Sequence, residues 1–322
     1  MAMGDLSAPP ERISLPTDGN ARLRGWRANV GAPIALDLAT EWSGPAGALL
    51  VLSWNVWIGR GRLLEVVEGL RAGAWALAGD EPLPLVVLLQ EAYRSDATVP
   101  EGSNGFHPRE IMSRTRPRAD IAELATHLGW NLRYVPSMRN AAERSDRGNA
   151  ILSPLPLEDT TAIELPMVLQ RRVALAATVR LGGRRLRLVS GHLDPRGPPG
   201  YKWLGAAGRA AQTAHLLAAL ETDDPLILGA DLNLGRGRAE RSWRLLTEAG
   251  LRFGVPPGSP RWRHTYHALP RLVLDYILIR DRTGAVRRAQ IERLDQDPAD
   301  RGPVVFGSDH HPLLGRIDLN PE

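Results

Sequence analysis

The chain has 322 residues, of which 43% are hydrophobic and 24% charged, an ordinary balance for a folded globular protein. It contains no cysteine, which excludes disulfides, thiolate metal sites and a cysteine nucleophile. No apolar stretch approaches the length of a membrane span, and residues 1–10 lack the basic head and apolar run of a secretion signal. We therefore expect a cytoplasmic protein without membrane insertion, and no obligate protein partner is evident.

The formal net charge is +4, and the basic residues are nearly all arginine, with Lys202 as the one lysine. Arginine forms bidentate contacts with phosphate, so this composition fits a polyanionic substrate. A genome-wide codon bias toward Ala, Gly, Arg and Pro explains the composition equally well. The overall charge therefore does not distinguish a polyanionic substrate from codon bias.

Residues 1–47 show scattered Pro and Gly without a clear period, and we predict an N-terminal extension followed by one catalytic domain at 48–322. From there on, apolar runs predict strands and 3.6-residue spacing predicts helices. The predicted strands cover 48–55, 84–91, 132–135, 149–153, 172–180, 185–192, 225–231, 272–279, 286–294 and 313–319, and the predicted helices about 62–77, 117–128 and 205–220. Continuous apolar strands alternating with helices and hairpins indicate a mixed α/β domain with sheets buried on both faces.

Polar side chains recur where these apolar strands end. They are Asn55, Glu91, His192, Asp231, Asn233 and Asp275, together with the loop pair Asp309-His310. Strand ends that share one sheet edge can converge on a single cleft. Such an oxygen-rich set suits Mg²⁺ or Mn²⁺, cations that act mainly on phosphates, whereas no serine has the context of a nucleophile elbow.

Each of these residues also has an ordinary structural interpretation. Asn55 alone is typical of a turn, and Glu91 of a solvated strand end. Asp231 and Asn233 are suitable helix N-caps. Asp275 lies inside an apolar strand, where a carboxylate is costly without a partner, so even a structural role requires an ion pair.

Seven short motifs occur in the order of a known family. They are Ser53-Trp54-Asn55, Leu89-Gln90-Glu91, Gly148-Asn149-Ala150-Ile151-Leu152-Ser153, Ser190-Gly191-His192-Leu193, Gly229-Ala230-Asp231-Leu232-Asn233, Leu274-Asp275-Tyr276-Ile277 and Ser308-Asp309-His310. Together they resemble the endonuclease/exonuclease/phosphatase superfamily, which includes DNase I-like nucleases, abasic-site endonucleases, neutral sphingomyelinases and inositol-polyphosphate phosphatases. The resemblance implies a DNase I-like four-layer sandwich, two packed mixed β-sheets flanked by helices, and a metal-dependent phosphoric ester hydrolase.

The same resemblance implies roles for individual residues. The implied metal ligands are Asn55, Glu91 and Asp309, and the implied catalytic residues are His192, Asp231, Asn233, Asp275 and His310. Asp231 and Asn233 would align the attacking water and the phosphate, and His192 would donate to a non-bridging phosphate oxygen. Asp275 would accept a hydrogen bond from His310, fixing its tautomer and favouring the imidazolium. Whether His310 or Asp231 activates the water stays open.

The loops around these strand ends carry arginine and tryptophan, which suits a nucleic acid because arginine contacts phosphates and aromatic rings stack on bases. We therefore predict a nuclease acting on DNA or RNA, with substrate contacts from Trp57, Asn149, Trp203, Arg236 and Arg238. The alternatives are a phospholipase C-like, sphingomyelinase-type enzyme and a small-molecule phosphatase. An inactive binding module is disfavoured, since every expected charged site residue is present. The histidines outside the motifs are predicted to be structural or superficial, namely His107, His127, His215, His264, His267 and His311.

Overall fold

The computed structural model describes residues 9–17, 19–102, 117–141, 143–195, 205–253, 264–296, 302 and 304–321. Within these residues the strands form two sheets of seven strands each. In the same described part of the chain, no helix combines the length and the apolar character needed to cross a membrane.

The first sheet is antiparallel except at two strand pairs. Its spatial order is β1 (Glu11–Ile13), β7 (Glu158–Leu165), β8 (Arg172–Leu181), β9 (Arg184–His192), β10 (Leu226–Asp231), β12 (Asp275–Arg280) and β11 (Arg252–Phe253). β1 runs parallel to β7, and β9 runs parallel to β10. β8 and β9, both predicted as strands, form a hairpin that turns at Gly182-Gly183, where both glycines adopt the positive φ angles that a tight turn requires.

The second sheet contains one parallel pair, β3 with β4. Its spatial order is β13 (Val286–Arg293), β14 (Leu313–Leu319), β3 (Ala48–Asn55), β4 (Leu85–Arg94), β6 (Asp146–Ser153), β5 (Asn131–Arg139) and β2 (Ile34–Leu36). β14 matches its predicted span, and β3 is buried at every position, as its continuous apolar run predicts.

Five α-helices lie in the described residues. They are α1 (Ala21–Ala28), α2 (Leu63–Arg71), α3 (Ile121–Leu128), α4 (Gly205–Ala219) and α5 (Arg241–Glu248). Asp120 caps α3 by accepting hydrogen bonds from the backbone N–H groups of Ala122 and Glu123, and Gly129 ends it in the left-handed conformation. α2 ends at Arg71, earlier than predicted, and Gly73 follows with a φ of 74° that does not continue a helix.

The two faces of β3 show how the layers pack. Leu49 and Val51 belong to the core between the sheets, together with first-sheet residues such as Leu188. Leu52 and Trp54 belong to the core under α2 and α3. A third core joins the outer face of the first sheet to α4 and α5. Helices, sheet, sheet and helices thus form four layers, and the predicted two-sheet α/β fold is confirmed.

Residues 9–47 contribute to both sheets. β1 adds an edge strand beside β7, and β2 adds one beside β5. Each strand has only three residues, which is too short to produce a periodic sequence signal. The segment predicted as an N-terminal extension therefore passes along the edges of both sheets.

Candidate active site

Three predicted residues meet at one edge of the first sheet because of its strand register. β9 and β10 are parallel and end at the same edge, with His192 paired to Asp231. β12 is antiparallel to β10 and begins at that edge, with Asp275 paired to Asp231 on the other side. All three residues are buried. The register therefore brings one imidazole and two carboxylates together.

The second sheet supplies Asn55 to the same place. The side-chain amide of Asn55 donates to Oδ2 of Asp231 over 2.9 Å, and its Oδ1 accepts from the backbone N–H of Trp57 over 3.0 Å. Gly229 precedes Asp231 by two residues, and a Cβ at this position would lie 2.7 Å from Oγ of Ser53. The glycine therefore lets the two sheets approach closely enough for Asn55 to contact Asp231.

His310 and Asp275 form a buried ion pair. Nδ1 of His310 lies 2.8 Å from Oδ2 of Asp275. Burial lowers the pKa of His310, but the charge and hydrogen bond of Asp275 outweigh this effect and raise the pKa to about 10. The ring is therefore an imidazolium at neutral pH, and its Nε2 lies 3.9 Å from Oδ2 of Asp231.

Hydrogen bonds hold the loop that contains His310 against the end of β3. Nε1 of Trp54 donates to the carbonyl of His310 over 2.8 Å. Oγ of Ser308 donates to the carbonyl of Asn55 over 2.6 Å and accepts from the backbone N–H of His310 over 3.1 Å. These buried hydrogen bonds explain why tryptophan and serine accompany the polar residues in the motifs.

Glu91 reaches the site through an irregularity in β4. The pairing of β4 with β6 shifts register between Leu89 and Ala92, and Glu91 adopts a left-handed φ of 54°. Non-glycine residues rarely adopt this conformation, and bulges of this kind re-aim side chains beside functional sites. The bulge also explains why β4 continues to Arg94, beyond the strand end predicted at Glu91.

Six of the eight predicted catalytic and metal-binding residues line a cavity of about 420 Å³, whereas Asp275 and Asp309 do not. Its lining consists of Asn55, Glu91, Arg147, Gln170, Arg172, His192, Pro195, Asp231, Asn233, Gly235, Tyr266, Leu269, Pro270, Leu272, Leu274 and His310. A larger cavity of about 570 Å³ opens at the opposite ends of β3 and β4, but its lining contains none of the predicted site residues. The chemistry therefore identifies the smaller cavity as the candidate active site.

The acidic groups of this site fit a hard divalent cation. Burial raises the pKa of Asp309, the charge of His310 lowers it, and the charge of Glu91 raises it again, to about 6. Oδ1 of Asp275 is buried and has no hydrogen-bond partner among the described residues. Asp231, Asp275 and His310 each place a potential ligand atom within 4.8 Å of the other two. Because His310 is protonated, the carboxylates are the better cation ligands, and carboxylate oxygens suit Mg²⁺ or Mn²⁺.

Arg172, which the sequence analysis did not single out, fixes the orientation of His192. Its Nη1 lies 3.0 Å from Nδ1 of His192, and its Nε donates to Asp194 over 3.2 Å. Asp194 is held in turn by Gln212, whose side-chain oxygen accepts from the Asp194 backbone N–H over 3.0 Å. Burial and the charge of Arg172 hold the pKa of His192 well below its usual value. His192 is therefore neutral, in contrast to His310.

Arg147 is the second cavity residue that the sequence analysis missed. It is buried, lines the cavity, and donates to Oδ1 of Asn140 over 2.8 Å. An arginine inside a buried strand is unusual unless it is paired, and this is the signal that could have identified Arg147 and Arg172. The abundance of arginine throughout the chain concealed that signal.

Four of the five predicted substrate-binding residues lie in the described part of the chain, and none of them lines the cavity. Asn149 is buried between the sheets, where its amide donates to the carbonyls of Val173 and Ser190 over 3.0 Å each. It therefore joins β6 to β8 and β9 and is not available to a phosphate in the cavity.

Trp57 and Arg238 each take part in a cation–π contact and do not line the cavity. The guanidinium of Arg60 lies over the ring of Trp57, 4.1 Å from its centroid. Arg238 similarly lies 5.0 Å from the ring centroid of Trp243. Arg236 is exposed and follows Gly235 of the cavity lining. Trp203 lies outside the described residues.

Comparison with known proteins identifies the family to which this fold and this site belong. The model of the endonuclease/exonuclease/phosphatase family matches residues 52–310, and the chain belongs to this family. Members of the family hydrolyse phosphoric esters and use divalent metals. The predicted resemblance is thus confirmed. No curated protein matches the chain significantly.

Solved structures share the fold at low sequence identity. The human Nocturnin catalytic domain with bound sulfate is 18% identical with a TM-score of 0.56, and the match covers 87% of this chain and 97% of that one. An endonuclease/exonuclease/phosphatase from Beutenbergia cavernae DSM 12333 is 18% identical with a TM-score of 0.53, covering 85% and 72%. TDP2 from Caenorhabditis elegans is 15% identical with a TM-score of 0.53, covering 86% and 77%. At these identities the likeness establishes the fold alone.

Proposed function

We propose that this protein is a divalent-metal-dependent phosphodiesterase and that its substrate is a nucleic acid. The observation that carries the proposal is the lining of one cavity by the carboxylates of Glu91 and Asp231 and by the buried guanidinium groups of Arg147 and Arg172. Carboxylates suit a divalent cation, and arginine suits the phosphate oxygens. A site with both features fits a phosphodiester held between a metal ion and fixed positive charges.

Glu91 and Asp309 are the proposed metal ligands, with the side-chain oxygen of Asn55 as a third. That oxygen accepts one hydrogen bond from Trp57, and a carbonyl oxygen has a second lone pair for a cation. A bound divalent cation would polarise the phosphoryl group and offset charge that develops during in-line displacement. Glu91 is the strongest candidate because the backbone bulge aims it into the cavity.

Asp231 is the proposed acceptor of the proton from the attacking water. Burial and the nearby charge of Asp275 raise the pKa of Asp231, which makes its carboxylate a better base than an ordinary aspartate. His310 is an imidazolium, so it lacks the lone pair that a general base needs. In this assignment the water oxygen attacks phosphorus while its proton moves to Asp231, and the bond from phosphorus to the leaving oxygen breaks.

His192 and His310 act on the phosphate as hydrogen-bond donors. Because the Arg172 guanidinium can only donate, Nδ1 of neutral His192 is the acceptor and Nε2 carries the proton. Nε2 of His310 also carries a proton, because Nδ1 is bonded to Asp275 and the ring is cationic. Both N–H groups can therefore stabilise non-bridging or leaving oxygens in the transition state.

A lipid phosphodiester is the second candidate substrate, and one observation favours it. Leu269 lines the cavity and is 85% exposed, and Pro270 and Leu272 also line the cavity. An exposed apolar side chain beside the cavity suits the apolar part of a lipid as well as it suits a nucleobase. The nucleic acid is preferred because Arg236 is exposed next to the lining residue Gly235.

A substrate panel tests the proposal. Plasmid DNA, single-stranded DNA, RNA, sphingomyelin and inositol phosphates are incubated with the protein in Mg²⁺, Mn²⁺ or EDTA, with Asp231→Asn as the inactive variant and His127→Gln as the control. We expect metal-dependent cleavage of a nucleic acid that is lost in Asp231→Asn and kept in His127→Gln. Turnover of sphingomyelin alone would favour the lipid phosphodiester over the nucleic acid as the substrate. If no phosphoric ester is turned over, the proposed phosphodiesterase activity is refuted.

A further inference from the structure

Three histidines form a cluster outside the cavity of the candidate active site. They are His264, His267 and His311, of which the last two are buried. One ring nitrogen from each lies within 4.8 Å of one from each of the others. The rings of His267 and His311 have centroids 5.0 Å apart, and that of His264 lies 5.1 Å from His311 and 5.7 Å from His267.

The neighbours of His267 and His311 determine which nitrogen of each ring carries the proton. Nε2 of His267 lies 2.7 Å from the carbonyl of Gly302, so this nitrogen must be the donor. Nδ1 of His311 lies 3.2 Å from the carbonyl of Leu294 and 2.9 Å from Oδ1 of Asp295, so it must also be a donor. In the neutral rings the lone pairs are therefore on Nδ1 of His267 and Nε2 of His311.

These two lone-pair nitrogens face each other at 3.0 Å. Two acceptors at this distance repel each other unless a positive charge lies between or beside them. A shared proton or a metal ion can provide that charge. A tetrahedral ion with bonds of about 2.0–2.1 Å to histidine nitrogen separates its ligand nitrogens by about 3.3 Å, close to the observed spacing.

His264 adds a third nitrogen, and this favours the metal ion over the shared proton. Its Nε2 is buried and has no hydrogen-bond partner among the described residues. Arg293 donates to the carbonyl of His264 over 2.8 Å, and its Nη1 also lies 3.5 Å from ring Nδ1. A neutral imidazole has one ring nitrogen without a proton, so His264 can offer a lone pair to an ion.

We propose that His264, His267 and His311 form a second metal site that binds one divalent transition-metal ion of the zinc class. Three imidazole nitrogens are a ligand set typical of zinc and its neighbours, and an oxygen-seeking cation such as Mg²⁺ would not select it.

The outer contacts of the rings match those of metal-bound histidines. A histidine that binds a metal normally donates its other N–H to a carboxylate or a carbonyl, which fixes the ring and increases its basicity. His311 has the carboxylate of Asp295 in this position, and His267 has the carbonyl of Gly302. Arg293 and Arg271 add positive charge near His264, but Arg293 is paired with Asp295 over 2.9 Å, which limits the repulsion.

The proposed ion would stabilise the loop that contains Asp309 and His310. The backbone N–H of His267 donates to the carbonyl of Asp309 over 2.7 Å, and that of His311 donates to the carbonyl of Thr265 over 2.8 Å. Oγ1 of Thr265 also accepts from the backbone N–H of Asp275 over 2.9 Å. A metal ion joining the three rings would therefore lock residues 264–267 to residues 309–311, behind the His310–Asp275 pair.

Metal binding by the untagged full-length protein tests the site. The protein is stripped with a chelator, dialysed against Mg²⁺ and titrated with Zn²⁺, or with Co²⁺ as a spectroscopic probe. We expect one equivalent of Zn²⁺ by elemental analysis, and visible Co²⁺ bands typical of a four-coordinate ion with three histidine ligands. Wild-type protein that takes up no Zn²⁺ and gives no such bands would overturn the proposal and leave a shared proton between His267 and His311.

Variants separate this site from the catalytic one. His267→Gln and His311→Gln should lose the bound Zn²⁺, whereas His127→Gln, which removes an exposed histidine, should retain it. Glu91→Gln should also retain Zn²⁺, because Glu91 belongs to the other site. Asp295→Asn should weaken binding by about 10- to 100-fold, the usual effect of removing a carboxylate that orients a ligand. Undiminished Zn²⁺ binding by His267→Gln and His311→Gln would refute the assignment, and the wild-type titration remains decisive if either variant does not fold.

Discussion

Nη1 of Arg172 lies 3.0 Å from Nδ1 of His192, and this contact determines which nitrogen of His192 faces the cavity with a proton. The guanidinium has no acceptor, so the imidazole must accept at Nδ1 and carry its hydrogen on Nε2. Nε2 lies 3.3 Å from Oδ2 of Asp231. The position of the proton in His192 therefore depends on an arginine that lies on a different strand.

Replacement of Arg172 should reduce turnover more than substrate binding. Arg172→Lys keeps the charge but loses the planar fork that contacts both His192 and Asp194. We expect a decrease in kcat of about tenfold or more, which corresponds to ~1.4 kcal/mol of transition-state stabilisation. Steady-state kinetics on an aryl phosphodiester measures it, with Arg180→Lys, an exposed position on the same strand, as control. Equal kcat in both variants would show that Arg172 does not position His192.

Asp275 and His310 should behave as one unit. Asp275→Asn removes the negative charge that keeps His310 protonated, so kcat should fall by about 10²- to 10⁴-fold, the range of acid–base contributions. In the double variant Asp275→Asn/His310→Gln, the losses should not multiply, because each single change already disables the pair. Multiplicative losses would mean that the two residues act independently.

The same ion pair predicts a specific pH dependence of stability. The pKa of His310 is raised from its ordinary value of 6.5 to about 10 in the folded protein. Its stabilising contribution is therefore complete below pH 6.5 and is lost as the pH rises toward 10. Urea denaturation in EDTA between pH 6.5 and 10 should show this loss in the wild type and a flatter profile in His310→Gln. Parallel profiles would contradict the raised pKa.

Glu91→Gln should greatly weaken Mg²⁺ or Mn²⁺ binding and activity while the fold survives. The change removes one negative charge from the proposed metal ligands and keeps the side-chain shape. Isothermal titration with Mn²⁺ and thermal denaturation measure the two effects, with Glu65→Gln, an exposed glutamate on α2, as control. Full activity of Glu91→Gln at limiting metal would exclude Glu91 as a ligand.

The nucleic-acid proposal predicts a steep dependence of KM on salt. A protein that neutralises backbone phosphates loses affinity with a log–log slope of about −0.9 per contact on duplex DNA. Arg236→Ala should flatten this dependence but leave cleavage of a small aryl phosphodiester unchanged. Arg238→Ala should instead cost ~0.5–1 kcal/mol of stability, because Arg238 lies over Trp243. A KM independent of salt, with good turnover of a lipid phosphodiester, would favour the second candidate substrate.

The sequence predicted the parts of the protein that depend on local pattern. Continuous apolar runs such as Ala48–Asn55 identified the central strands, because a strand buried on both faces excludes polar residues. β7 (Glu158–Leu165) was not predicted, because its first half is polar and partly exposed. α5 (Arg241–Glu248) was also missed, since it buries only Ser242 and Leu246. The order of the short motifs identified the family, although each motif alone had an ordinary structural interpretation.

The sequence by itself determined that acidic, amide and imidazole side chains stand at the ends of buried strands, because strand direction and burial are properties of short segments. Only the tertiary structure decided which of these groups touch. The bulge that turns Glu91 into the cavity depends on pairing between β4 and β6, and Arg172 reaches His192 from a neighbouring strand. The cluster of His264 and His311 joins residues 47 positions apart, a contact that sequence periodicity does not encode because it is set by how distant loops pack.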